Sequence, residues 1–148
     1  MPLMVALMFA AMTAMWSAIQ LPVLQAQKVR IRADVQANNF LSYRYSLQQY
    51  VKANPGATGT VADGVIAFQP GYIRDLNWTN TVSAGKLYVY APPGAIFPVA
   101  ADAVYKRSGN NPMVGFKTGT VFKSSVLGTT ALTLPAGIPD GSFVFVGN

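Results

Sequence analysis

Apolar and charged residues are distributed unevenly along the chain, and the first charged side chain is Lys28. A helix from Leu3 to Gln25 would be ~35 Å long at 1.5 Å per residue, enough to cross a hydrocarbon core of ~30 Å. The pattern therefore predicts a transmembrane anchor over residues 1–27. An amphipathic continuation of the same helix is predicted over residues 28–54.

The amphipathic part is predicted from apolar residues that recur in steps of three and four, as on one buried helix face. Asn54-Pro55-Gly56 should end the helix, because the residue before proline avoids helical geometry and glycine permits a reversal. We predict one helix from about Leu3 to Lys52, bent near Pro22, which lacks a backbone donor. The expected buried residues are Ala33, Ala37, Phe40, Tyr43, Leu47 and Tyr50.

Small residues recur every four positions in the first half of this helix, at Ala6, Ala10, Ala14 and Ala18. A ridge of small side chains lets two helices approach closely within a membrane. The ridge is therefore a predicted interaction site for another membrane protein or for a second copy of this chain. The alternative interpretation is that alanine is simply common in apolar helices.

A cleaved signal peptide is an alternative to a retained anchor. Such a peptide carries basic residues before its apolar run and small residues before the cleavage site. No Lys or Arg precedes Lys28, and cleavage after Ala26 would place Leu24 at the −3 position. A retained anchor is favoured. Its orientation is ambiguous, because Lys28, Arg30 and Arg32 favour a cytoplasmic exit whereas the weakly charged remainder of the chain favours the periplasm.

The remaining residues, 55–148, predict a small α+β domain. Strands are expected at 86–91, on both sides of a hairpin turn at Thr118-Gly119, at 131–135 and at 141–147. Asp63-Gly64 and Asp140-Gly141 are further turn candidates. A short helix is expected within residues 97–109, with Pro98 near its start and Gly109 past its end. The predicted fold is therefore α+β, with a long N-terminal helix packed on a small, mostly antiparallel sheet.

Composition narrows the chemistry available to this 148-residue chain, which contains no Cys, no His and no Glu. Imidazole and thiolate chemistry is therefore excluded, and we expect no metal site and no cofactor. The net charge is +6, but Lys28, Arg30 and Arg32 account for half of it and adjoin the apolar segment. No basic block alternates with aromatic residues, so we expect no nucleic-acid partner.

Three short motifs resemble the active site of penicillin-binding proteins and serine β-lactamases. They are Ser-x-x-Lys at 83–86, Ser-x-Asn at 108–110 and Lys-Thr-Gly at 117–119. In that family the nucleophilic serine begins a helix, whereas residues 83–93 run into a predicted strand and two prolines. All three motifs also fall within 37 residues. We therefore expect no catalysis, and a membrane-anchored serine enzyme is the weakest hypothesis.

Three longer stretches carry a family resemblance: "QANNFLSYRYSLQQYVKANPGATGTV", "WTNTVSAGKLYVYAPP" and "LPAGIPDGSFVFVGN". Together they resemble the PilM proteins of conjugative type IVb (thin) pilus systems, over nearly the whole chain. The resemblance implies a non-catalytic accessory protein of pilus assembly in the bacterial inner membrane. It also implies a C-terminal domain in the periplasm, and other pilus-assembly membrane proteins or pilins as partners.

A second resemblance leaves an alternative function open. A long helix, apolar in its first half and followed by a small α+β domain, resembles type IV pilins and pseudopilins. Those proteins carry a Glu at position 5, where this chain has Val5. A pilin-like filament subunit is therefore the second hypothesis.

Overall fold

The computed structural model describes residues 2–147, without the side chains of Pro2, Ala14, Ser17 and Ile19. The chain divides into two compact units, residues 1–32 and 33–148. The elements are α1 (Pro2–Ala53), β1 (Thr79–Ser83), β2 (Lys86–Ala91), α2 (Pro98–Arg107), β3 (Val114–Thr118), β4 (Val121–Ser124), β5 (Gly128–Thr133) and β6 (Phe143–Gly147).

The first unit consists of the N-terminal part of α1, and its described side chains are exposed. Among the described residues, no helix combines the length and the apolar character needed to cross a lipid bilayer. The prediction of a transmembrane anchor over residues 1–27 is therefore not supported. Thr13, Gln20 and Gln25 interrupt the apolar sequence of this segment.

The predicted long helix is confirmed, with bounds one residue wider at each end than expected. Its buried stripe is also confirmed in the second unit, where all the predicted residues except the half-buried Tyr50 are fully buried. Phe40 is central to the packing, because its ring makes edge-to-face contacts with Trp78 and Phe143. The distances between ring centroids are 5.3 Å to Trp78 and 5.4 Å to Phe143. The helix ends where the backbone N–H of Asn54 donates to the Tyr50 carbonyl.

Within the described residues, six strands form one sheet in the order β1-β2-β6-β3-β4-β5. Every neighbouring pair is antiparallel, which confirms the α+β prediction with a long N-terminal helix and an antiparallel sheet. The strand that comes last along the chain, β6, lies between β2 and β3. Its five residues, Phe143 to Gly147, are buried on both sides of the sheet.

The two faces of the sheet carry separate hydrophobic cores, because side chains alternate along each strand. One face contributes Val89, Phe145 and their neighbours to the core that α1 and α2 cover. The other face contributes Tyr88 and Val146 to a smaller core, which Leu134 and Ile138 of the β5–β6 connection complete. Both faces of the sheet therefore carry a hydrophobic core, and the second half of α1 is a structural part of the domain.

Three details differ from the sequence prediction. Strand β1 was not predicted, since its alternating polar residues resemble a loop. Asp63-Gly64 begins a single turn of 3₁₀ helix, Asp63–Val65, in place of a hairpin turn. The segment containing Asp140-Gly141 connects two strands that do not pair with each other, since β5 is an edge strand and β6 is central.

A buried asparagine fixes the connection between α1 and β1. Asn80 accepts a hydrogen bond at Oδ1 from the Val61 backbone N–H at 2.8 Å. Its Nδ2 donates to the Val61 carbonyl at 3.0 Å and to the Tyr43 hydroxyl at 2.7 Å. Because Tyr43 lies on α1, the three bonds join that helix, the connection and the sheet.

Candidate binding surfaces

A groove of about 450 Å³ lies where α1, the C-terminal end of α2 and strand β6 meet. Periodicity brings one face of α1 to this position, because residues 38, 41, 42 and 45 flank the buried stripe. The groove combines apolar, amide and cationic groups. Its lining residues are Asn38, Leu41, Ser42, Arg44, Tyr45, Gln69, Arg107, Ser108, Asn111 and Phe145.

Arg44 contributes a positive charge to the lining of this groove. Its guanidinium carbon lies 3.7 Å from the centre of the Phe145 ring, a cation–π contact. Its Nε is buried without a hydrogen-bond partner, and among the described residues Arg44 forms no ion pair. Loss of hydration by burial lowers the pKa of Arg44 from its ordinary value. Among the residues that the structure describes, this cation has no counterion.

Arg107, the other arginine of the groove, is already paired. Its Nη2 donates to Asp34 Oδ1 at 2.8 Å, and its Nη1 donates to Asn38 Oδ1. These contacts join the last turn of α2 to α1. Arg107 thus has a structural role that explains its position, whereas Arg44 has no such acceptor in the described part of the chain.

A second, smaller groove of about 230 Å³ adjoins the first. The two share Arg44 and Asn111, and the second adds Gln48, Lys86 and Met113 among others. No acidic side chain appears among the described residues that line either groove. We call the two together the Arg44 groove. It is open to solvent, positively charged and rich in amide side chains.

The N-terminal unit offers a different kind of surface. Ala6, Ala10 and Ala18 lie on α1 with exposed side chains, and the side chain of Ala14 is outside the described residues. The helical spacing needed for the predicted ridge is present, and packing through it stays a prediction. The neighbouring large exposed side chains form what we call the apolar helix surface: Leu3, Met4, Val5, Leu7, Met8, Phe9, Met12, Met15, Trp16, Leu21, Val23 and Leu24.

The penicillin-recognition motifs occupy structural positions. Ser83 and Lys86 face each other across the tight turn between β1 and β2. Ser108 follows α2, and its hydroxyl donates to the Tyr105 carbonyl at 2.7 Å. Lys117 is buried, and its Nζ donates to the carbonyls of Pro135 and Ile138. The serine of the first motif therefore lies in a hairpin, unlike the helix start of that enzyme family.

Sequence reasoning missed the Arg44 groove, although one pattern could have indicated it. Arg44 lies four residues after Phe40 and three before Leu47, so it borders the buried stripe of the amphipathic helix. A basic residue at such a boundary extends its apolar stem along the core. Contact with Phe145 depends on the position of β6 in the sheet, which local patterns do not reveal.

Similarity to known proteins identifies the family of this chain. The PilM family model matches residues 5–146. A PilM protein from Escherichia coli B7A has a similar structure, with a TM-score of 0.61 and 21% identity, over 79% of this chain and 92% of that one. A pilM protein from Pseudomonas aeruginosa 2192 has a TM-score of 0.44 and 29% identity, over 78% and 95% of the two chains. Comparison with curated proteins gave no match. The resemblance inferred from the sequence is confirmed, and the chain belongs to the PilM family.

Proposed function

We propose that this protein is a non-catalytic accessory protein of type IVb pilus assembly that acts by binding other pilus components. The observation that carries the proposal is the family match over residues 5–146. The proposed location is the bacterial inner membrane, with residues 33–148 in the periplasm. The proposed partners are other pilus-assembly membrane proteins or pilins.

Two surfaces support a binding role. The apolar helix surface exposes large side chains such as Met8 and Trp16 along one uninterrupted helix. Contiguous exposed apolar patches of this kind are typical of protein or membrane contacts. The Arg44 groove adds a charged surface on the folded domain. One chain thus carries an apolar and a polar contact site, as a protein that joins components of an assembly requires.

The placement of the enzyme-like motifs supports the non-catalytic part of the proposal. A nucleophilic serine needs a base within hydrogen-bond reach and a position from which to attack. Ser83 lies in a β-hairpin, and Lys117 is engaged by two backbone carbonyls. We expect Ser83→Ala to leave pilus-dependent transfer unchanged. Covalent labelling of Ser83 by a fluorescent penicillin would contradict this.

The proposal is tested first by deleting the gene in a donor strain that forms thin pili. We expect loss of pili by electron microscopy and loss of transfer in liquid mating, both restored by the full chain. Location is tested separately, by membrane fractionation and by a reporter fused after Asn148 that is active only in the periplasm. Normal pili in the deletion strain would refute the function, and a reporter active only in the cytoplasm would refute the location.

The alanine ridge is tested by the double substitution Ala10→Leu and Ala14→Leu. Close approach of a partner helix depends on small side chains along the ridge, so the larger side chains should reduce crosslinking to partners. Met8→Leu and Met12→Leu, on the neighbouring stripe, provide a control of similar hydrophobicity. If both double variants assemble pili at the normal level, the ridge is not a contact site.

A filament-subunit role is the second candidate, favoured by the 52-residue helix α1 that continues into an antiparallel domain. This arrangement resembles type IV pilins, although Val5 replaces their Glu. Sheared pili distinguish the two functions. An accessory protein remains with the cells in amounts far below the major pilin, whereas a filament subunit is recovered in the sheared fibre.

A further inference from the structure

Arg44 is a half-buried cation on the surface of the folded domain. A cation withdrawn from water is stabilised in proteins by an acceptor or an opposite charge. Arg44 has neither among the described residues, although its Nε is buried. The Phe145 ring supplies a weaker, cation–π stabilisation on one face of the guanidinium. No acceptor within the described part of the chain occupies the donors of this side chain.

The geometry favours a carboxylate as that ligand. A guanidinium group is planar, and its paired N–H donors match the two oxygens of a carboxylate. The Phe145 ring holds one face of the plane, so the fork has a fixed orientation before a ligand arrives. Because Nε is buried, the two Nη atoms are the donors that remain. Lys86 adds a second positive charge to the same groove.

The remainder of the lining favours a protein segment as the carrier of the carboxylate. Asn38, Gln69 and Asn111 line the groove with side-chain amides, whose NH₂ groups can donate to the carbonyls of a peptide backbone. The Oδ1 atoms of Asn38 and Asn111 already accept hydrogen bonds within the domain. The two grooves, of about 450 and 230 Å³, share Arg44 in their lining, so a short peptide segment fits on both sides of this residue. Because no acidic side chain is found among the described lining residues, no carboxylate of the lining competes with a ligand for Arg44.

We propose that the Arg44 groove binds an Asp or Glu side chain presented by an extended segment of a partner protein. The carboxylate accepts two hydrogen bonds from the Nη atoms of Arg44, and the amide side chains hold the flanking backbone. This inference rests on the proposed binding function and specifies the chemistry of one contact. Partner selection at this site depends on an acidic residue.

The test uses the full chain, uniformly labelled with ¹⁵N and purified in a nonionic detergent. The probe is a blocked alanine–aspartate–alanine tripeptide, and the matched control is the same peptide with asparagine. We expect saturable shifts of the Arg44 Nε–H signal with the aspartate peptide alone. The Nη signals of Arg44 should also become resolved, because two hydrogen bonds slow rotation about the Cζ–Nη bonds. Arg74, which is outside the groove, is the internal reference.

Variants separate charge from geometry. Arg44→Lys keeps the charge and removes the fork, and we expect affinity for the aspartate peptide to fall roughly tenfold, measured from the amide signals of Ser108 and Asn111. Lys123→Gln removes a positive charge outside the groove and should leave affinity unchanged. Equal responses to both peptides, or none at Arg44, would overturn the proposal. Tighter binding of inorganic phosphate at equal ionic strength would assign the groove to phosphorylated ligands and also overturn it.

A cellular experiment distinguishes failure of this site from failure of the proposed function. Arg44→Gln protein that is present at the normal level should not support thin pili. If that variant assembles pili normally while the gene deletion does not, the groove inference fails and the accessory function stands. If the deletion strain assembles pili, the accessory function itself fails.

Discussion

Replacing Asn80 by alanine tests whether its buried hydrogen bonds stabilise the domain. The carboxamide is 1% exposed and makes three hydrogen bonds, two with the backbone of Val61 and one with the Tyr43 hydroxyl. Alanine removes all three. The Val61 N–H, the Val61 carbonyl and the Tyr43 hydroxyl would then be buried without partners.

The magnitude follows from the number of groups left without partners. A buried donor or acceptor without a partner costs about 1–3 kcal/mol. Three such groups give a lower bound of about 3 kcal/mol, and the small cavity adds to it. We expect a loss of about 3–5 kcal/mol in the free energy of unfolding, against a total of roughly 5–15 kcal/mol for a domain of this kind.

The assay follows one tryptophan during urea unfolding in nonionic detergent. Trp78 is fully buried in the core, whereas Trp16 is 70% exposed. A Trp16→Phe background therefore makes fluorescence report the folded domain. Linear extrapolation gives the free energy of unfolding. Asn77→Ala is the matched control, since Asn77 is exposed, and it should change stability by less than about 0.5 kcal/mol.

A difference below about 1 kcal/mol between Asn80→Ala and Asn77→Ala, at equal denaturant slope, would contradict the predicted role of the three hydrogen bonds. It would mean that the connection from residue 54 to residue 78 reorganises and exposes Val61 to water. The three hydrogen bonds would then form when this connection packs on the domain, but they would contribute little to its stability.

Two further substitutions test the sheet. In Gly115→Ala the new Cβ would lie 2.0 Å from the Lys123 carbonyl oxygen, which cannot move without breaking the β3–β4 ladder. We therefore expect the free energy of unfolding to fall by more than about 3 kcal/mol. The control is Gly137→Ala, where no atom lies within 4 Å of the new Cβ, and thermal melting should show almost no change. Burial raises the pKa of Tyr90 above its ordinary value of 10.0, so the unfolded chain loses this proton first and stability falls as the pH rises past about 10. Tyr90→Phe should reduce that fall between about pH 9 and 11, measured by the urea midpoint. An unchanged pH profile would contradict this assignment.

Features determined by local sequence were predicted well. The buried stripe of α1 follows from helical periodicity, and Phe40 and Leu47 lie in the core as expected. The β3–β4 hairpin follows from the turn after Thr118. Helical spacing and turn residues are local features of the sequence, so both elements can be identified without knowledge of distant contacts.

Features determined by distant contacts were not predicted. The central position of β6 depends on pairing with β2 and β3, although its unbroken apolar run is consistent with burial on both faces. The cation–π contact of Arg44 requires Phe145, which is 101 positions away in the sequence and reaches Arg44 only through the position of β6 in the sheet. The alanine ridge could be identified from spacing alone, but the partner it would contact is not part of the sequence.

The central position of β6 has a consequence for biosynthesis. While the chain is being synthesised, β1–β2 and β3–β5 can form only as separate fragments, because residues 143–147 must emerge before the two can join. Until then the edges of β2 and β3 are unpaired, which is a condition that favours aggregation. Folding of the domain is therefore expected to follow synthesis of residues 143–147. A nascent chain arrested before residue 143 should depend on chaperones and be sensitive to proteases.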